Sequence, residues 1–218
     1  MNHPGDTVRD PNLKGDFSVV VERPIDIKRL IDFMLAASPA ASHIDPKHVG
    51  FFGFSRGGYT GLVLVGATPD WGAAALDLCQ DLSPDICGQL RRAEYPAVTP
   101  TRDPRIKAVA VADPLAIVLT RQGLQGVTTS IQLWASERGG DGVSPDIAVA
   151  LDRDLPQPHE FHVVPNSAHF VFLTPCSPAL AEIWPELCTD APGFDRAAFH
   201  KQLNSEMLAF FRKHLVQP

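Results

Sequence analysis

The stretch FFGFSRGGYTG, residues 51–61, decides how this chain is read. An apolar run ends on Ser55 inside Gly53-Phe54-Ser55-Arg56-Gly57, and a stretch rich in small residues begins directly behind it. A run of strand length that passes straight into helical spacing predicts a tight strand-to-helix turn with the serine at its apex. Such a turn brings backbone on either side of the serine together, so glycine is expected at both 53 and 57. A loop of small residues would show the same letters. The rest of the chain has to discriminate.

Upstream, PIDIKRLIDFMLAA (24–37) places Ile27, Leu30, Ile31, Met34 and Leu35 on one helical face, with Pro24 in the first turn. Downstream come three apolar runs of strand length, RIKAVAVADP (105–114), TSIQLWASE (129–137) and EFHVVPNSAH (160–169). A helical stretch from Pro145 to Leu155 separates the last two. From Asp195 to Leu215, Phe199, Leu203, Met207, Phe210 and Phe211 recur at helical spacing, and Asp195 suits the N-cap. Near-continuous apolar strands alternating with helices predict an α/β fold, a mostly parallel sheet with helices on both faces. Residues 66–104 carry proline, glycine and little period, and read as an irregular, cap-like excursion within one domain spanning 1–218.

Composition narrows the partners. The 218 residues are 44% hydrophobic and 20% charged, with net charge -6. No basic field or basic run favours nucleic acid or an anionic membrane. No stretch has the length of a membrane span, and the polar start MNHPGDTVRDPNLKGD lacks the pattern of a signal peptide. The cysteines, Cys79, Cys87, Cys176 and Cys188, form no CxxC. They fall into two close pairs, which suits two local disulfides and leans toward a periplasmic or secreted setting; four reduced thiols are the alternative.

Functional groups gather where parallel strands end at their carboxyl side. Ser55 ends the first strong strand, Asp141 lies in the glycine-rich loop RGGDGVSP after the third, and His169 follows the fourth in NSAHF. Serine, acid and histidine in that order, each after a strand, match the catalytic triad order of one large α/β class. A serine hydroxyl is a weak nucleophile until a histidine accepts its proton, and the histidine needs a carboxylate to hold its tautomer. Asp141 is the expected acid, with Glu137 and Asp113 as alternatives; GGDG is itself turn chemistry, and turn or cap duty is enough to explain Asp113. His159 and His162 lie before or within a strand, and His3, His200 and His214 read as surface or helix residues. The Arg56 N–H is the expected oxyanion donor, and its side chain is expected to pair with a local acid. No HExxH or clustered ligand spacing points to a metal, and no organic cofactor is implied.

With these residues in place, the chain resembles the dienelactone-hydrolase-like branch of the α/β-hydrolase superfamily and is similar to hydrolases related to platelet-activating-factor acetylhydrolases. The resembling segments are NHPGD (2–6), GFSRGG (53–58), LWASERGGDGVSP (133–145), HVVPNSAHFVFL (162–173) and PGFDRAAFHKQLNSEMLAFF (192–211). The resemblance implies hydrolysis of small-molecule carboxylic esters through an acyl-enzyme, with Ser55, Asp141 and His169 as the triad. One departure stands out. Members of that family carry several strands and an SHG-type loop ahead of the NHPG-like segment, and this chain opens directly on it. A sheet lacking them leaves the flat strand VGFFGF on an edge, so either an upstream part is absent or a partner chain, such as a second copy, covers it. A non-catalytic scaffold that binds a ligand or partner is the rival reading.

Overall fold

The computed structural model describes residues 2–7, 10–13, 16, 18–72, 88–89, 91–94, 100–156 and 158–216. Its principal elements are α1 (Ser18–Ala36), β1 (Val49–Phe54), α2 (Arg56–Leu64), β2 (Ile106–Ala112), α3 (Arg121–Leu124), β3 (Ser130–Ser136), α4 (Pro145–Asp154), β4 (Glu160–Val164), α5 (Pro178–Ile183), α6 (Pro185–Cys188) and α7 (Arg196–Leu215). The strands form one parallel sheet in the order β1-β2-β3-β4. The fold class is α/β, as the alternation of apolar runs and helical spacing requires.

The run KAVAVA explains why β2 lies inside. Ala108, Val109, Ala110, Val111 and Ala112 are all fully buried, so both faces of the strand are covered. On one face α2 packs closely: a Cβ built on Gly61 would stand 2.7 Å from the ring of Phe51. On the other, Gly50 lies under Phe211 and Leu215 of α7. One core joins Leu62, Leu64, Val109, Val111 and Leu133, and a second joins Trp134, Phe172, Phe199 and Leu203 beneath α7. Asp195 caps α7 as expected, its carboxylate accepting the N–H of Ala198.

Helix α1 begins earlier than its periodicity suggests. It starts at Ser18 and carries Pro24 inside, because the apolar stripe extends upstream through Val19, which is buried, and Val20, which packs on the core. Tertiary burial here outweighs the helix-breaking tendency of proline. The excursion expected at 66–104 lies largely outside the described residues, as do Cys79 and Cys87. The second cysteine pair is joined: Cys176 and Cys188 form a disulfide with a Cα–Cα separation of 5.7 Å. Among the described residues no helix is long and apolar enough to cross a membrane.

Among the described residues β1 is an edge strand, and its burial is correspondingly poor: Gly50 is exposed and Phe52 is 42% exposed. It bears no charge or proline that would discourage strand addition. Phe52→Lys is therefore expected to raise the concentration at which the protein stays monodisperse in sedimentation velocity. The thermal midpoint should change little, since the side chain is already half in water. Association identical to the parent would place the adhesive surface elsewhere.

Candidate active site

The site is built at the carboxyl ends of β1 and β2. Ser55 follows the last residue of β1 and precedes the first residue of α2, with φ 54° and ψ -119°. That backbone is strained for a residue with a side chain, and it holds because the neighbours determine it on both sides. The Ser55 N–H donates to Ala112 O at 3.0 Å. Its carbonyl accepts Gly58 N–H at 2.9 Å and Leu115 N–H at 3.0 Å. Ser55 is thus laced to residues 112 and 115, which bracket Asp113. Ser55 and the residue bearing a carboxylate are linked through backbone hydrogen bonds.

Asp113 itself has positive φ, 38°, and is 1% exposed. Its Oδ1 accepts the Ser136 N–H at 2.7 Å and its Oδ2 accepts the Ser136 hydroxyl at 2.5 Å. The same Oδ2 faces His169 Nδ1 at 3.1 Å. His169 is likewise 1% exposed and begins a short helical turn, His169–Phe172. A buried ionised carboxylate needs partners, and these three contacts supply them.

The carboxylate that faces His169 is Asp113 and not the expected Asp141. Asp141 does not approach His169 Nδ1; that position belongs to Asp113. The reason is local geometry: Gly139, Gly140, Asp141 and Gly142 all have positive φ, and Gly140 and Val143 close a tight bridge. The turn leaves Asp141 exposed, and among the described residues it makes no side-chain hydrogen bond. The loop serves His169 in another way. Gly139 O accepts the His169 N–H at 2.9 Å, and a Cβ on Gly140 would stand 3.3 Å from His169 Cβ. The signal for Asp113 was present in ADP, an acid at the carboxyl end of a strand apolar but for Lys107, and turn duty masked it. Ser136, which holds both oxygens of Asp113, carries no sequence signal of its own.

Across the ring, His169 Nε2 is buried and has no hydrogen-bond partner among the described residues. The Phe54 ring lies 4.5 Å from the imidazole and Phe170 meets it edge-on at 5.3 Å. The residue before Ser55 thus packs on His169, and no hydrogen bond joins Ser55 to His169. Arg56 opens α2, where the first N–H groups have no carbonyl behind them to bond. Its guanidinium reaches Asp6 at 3.4 Å, the local pair expected for it, and remains 41% exposed.

Asp6 belongs to the NHPGD segment, which packs beside the elbow. It also accepts from Arg23 at 2.8 Å, and His3 bonds Asp26 of α1 at 2.9 Å. His3 is 6% exposed rather than a surface residue, and burial pushes its imidazole below the ordinary histidine value despite the Asp26 bond. Burial likewise lowers Arg23, against the pull of Asp6. The remaining histidines stand apart: His162 stacks on Trp134 at 4.2 Å, His159 pairs with Asp152, and His200 donates to Val171 O. Among the described residues no cluster of three or more His, Cys, Asp or Glu could hold a metal.

No protein-family model and no curated protein matches this chain. Among solved structures it is similar to the carboxylesterase Cest-2923 from Lactobacillus plantarum WCFS1, with TM-score 0.42 and 13% identity over 78% of this chain and 64% of that one. It is also similar to an acetyl ester-xyloside bifunctional hydrolase from Caldicellulosiruptor lactoaceticus, with TM-score 0.42 and 16% identity over 88% and 67%. Acetyl xylan esterase 1 from Thermoanaerobacterium sp. JW/SL YS485 gives TM-score 0.41 and 13% identity over 86% and 58%. The matched part thus spans 64% of the first neighbour and 58% of the last.

Proposed function

We propose that this protein is a serine hydrolase of carboxylic esters, with Ser55 as nucleophile, His169 as general base and acid, and Asp113 as the residue that orients His169. The observation that carries the reading is the buried Asp113–His169 contact of 3.1 Å at strand ends, beside a serine held at positive φ. In the reaction, Ser55 Oγ adds to the ester carbonyl as its proton passes to His169 Nε2. The Arg56 N–H stabilises the oxyanion, and His169 then returns the proton to the leaving alkoxide. Water repeats the sequence on the acyl-enzyme. The unpartnered Nε2 fits this role, because the group that receives the serine proton must have a free lone pair. The Ser55–His169 contact needed for this transfer is one of those that tighten on substrate binding. The dienelactone-hydrolase-like resemblance belongs to this same reading.

The absence of a hydrogen bond between Ser55 and His169 favours the rival, a scaffold that binds without turnover. Intact-mass labelling with a fluorophosphonate probe separates them. The expected result is one adduct on the parent and none on Ser55→Ala or His169→Ala. A folded parent that takes no adduct would overturn the hydrolase reading.

A further inference from the structure

We propose that Ser136 is a positioning residue that sets the basicity of His169 through their shared carboxylate; the inference rests on the triad reading above. Asp113 Oδ2 lies 2.5 Å from Ser136 Oγ and 3.1 Å from His169 Nδ1. An ionised carboxylate only accepts, so the Ser136 hydroxyl must be the donor. Its lone pair is engaged from the other side by Gly139 N–H at 3.1 Å, which leaves the hydroxyl hydrogen aimed at Asp113. The Ser136 backbone N–H fills Oδ1 at 2.7 Å. One residue thus supplies a donor to each oxygen of the acid, and one of them competes with the imidazole.

That competition has a direction. A short O–H donor withdraws charge from the oxygen that stabilises the imidazolium. Removing the hydroxyl leaves Oδ2 to His169 alone, so the protonated imidazole persists to higher pH and the free base appears later. The other charged groups on the surrounding elements are engaged elsewhere. Glu137 accepts from Asn166 N–H, Arg138 donates to Asn166 Oδ1, and Arg56 faces Asp6. His200 bonds the Val171 carbonyl and Asp141 is exposed. Among the described residues, Ser136 is the side chain besides His169 that bonds Asp113.

The test is the pH dependence of fluorophosphonate labelling rate and of kcat/KM for p-nitrophenyl acetate, with Ser55→Ala as the control. For Ser136→Ala the acid limb should move up by roughly half to one pH unit, and Ser136→Thr should return it toward the parent. Should Ser136→Ala fail to fold, Ser136→Cys keeps the volume with a weak donor and should shift the same way. A parent whose activity needs Ser55, with an unmoved limb in the hydroxyl-lacking variant, overturns the role of Ser136 and leaves the triad standing. A reduced rate with an unmoved limb does the same, since a merely structural part would give that result. If Ser55→Ala reacts like the parent, the triad falls and this inference falls with it.

Discussion

Asp113→Asn is expected to lower kcat by about 10⁴-fold while the protein stays folded. The asparagine can keep its oxygen against the Ser136 N–H, where Oδ1 of the acid now sits. Its amide would then face the Ser136 hydroxyl and His169 Nδ1. Ser136 Oγ accepts that bond as readily as it donated the old one. His169 must now accept at Nδ1, which places its proton on Nε2. In that tautomer the ring has no lone pair for the serine proton, so the base is lost although every contact survives. Asp141→Asn is expected to leave kcat within about twofold, because an exposed turn residue away from Nδ1 carries neither tautomer nor charge for His169. Kinetics on both variants, with thermal melts as the folding control, settle the acid. Loss in Asp141→Asn with Asp113→Asn active would return that role to the glycine loop.

The second large effect is on stability. Gly53→Ala should destabilise by on the order of 3 kcal/mol, measured by chemical denaturation. A Cβ at 53 would lie 2.2 Å from Gly57 O and 2.8 Å from Gly58 N, both backbone atoms that no rotamer change can move. The elbow would have to open, taking Ser55 with it. Gly57→Ala should be neutral or stabilising, by about 0.5–1 kcal/mol from helix propensity, since a Cβ there meets nothing within 4 Å. The expectation that both flanking glycines are sterically required is thus corrected: Gly53 is, Gly57 is not. The second tight position is Gly58, whose Cβ would stand 2.7 Å from Pro114 Cβ. Equal losses at 53 and 57 would contradict this reading of the elbow.

The elements, and the places of Ser55 and His169 after strand ends, were legible in the chain because the signals that specify them are local. Alternation of strand-length apolar runs with helical spacing needs only neighbours in sequence, and so does a serine wedged between strand and helix. The order of strands end to end, with Ser55 and His169 after two of them, follows from that. The Asp195 cap and the pairing of Cys176 with Cys188 are equally local.

What the sequence could not decide was every choice between two residues with the same local signal. Asp113 and Asp141 both follow a strand, and both sit in turn-forming surroundings. The selection comes from register: Ala112 pairs with Trp134, which carries Ser136 alongside Asp113 and orders the acid toward His169. Gly53 and Gly57 look alike as letters, yet only one faces backbone across the bend. His3 looks like a surface residue until Asp26, 23 positions away, draws it under α1. The place of β1 at the sheet edge is likewise a matter of which strands assemble beside it. Periodicity and turn chemistry are written in adjacent residues, whereas partners across a sheet are set by the packing of segments far apart in the chain, and only the folded arrangement selects among them.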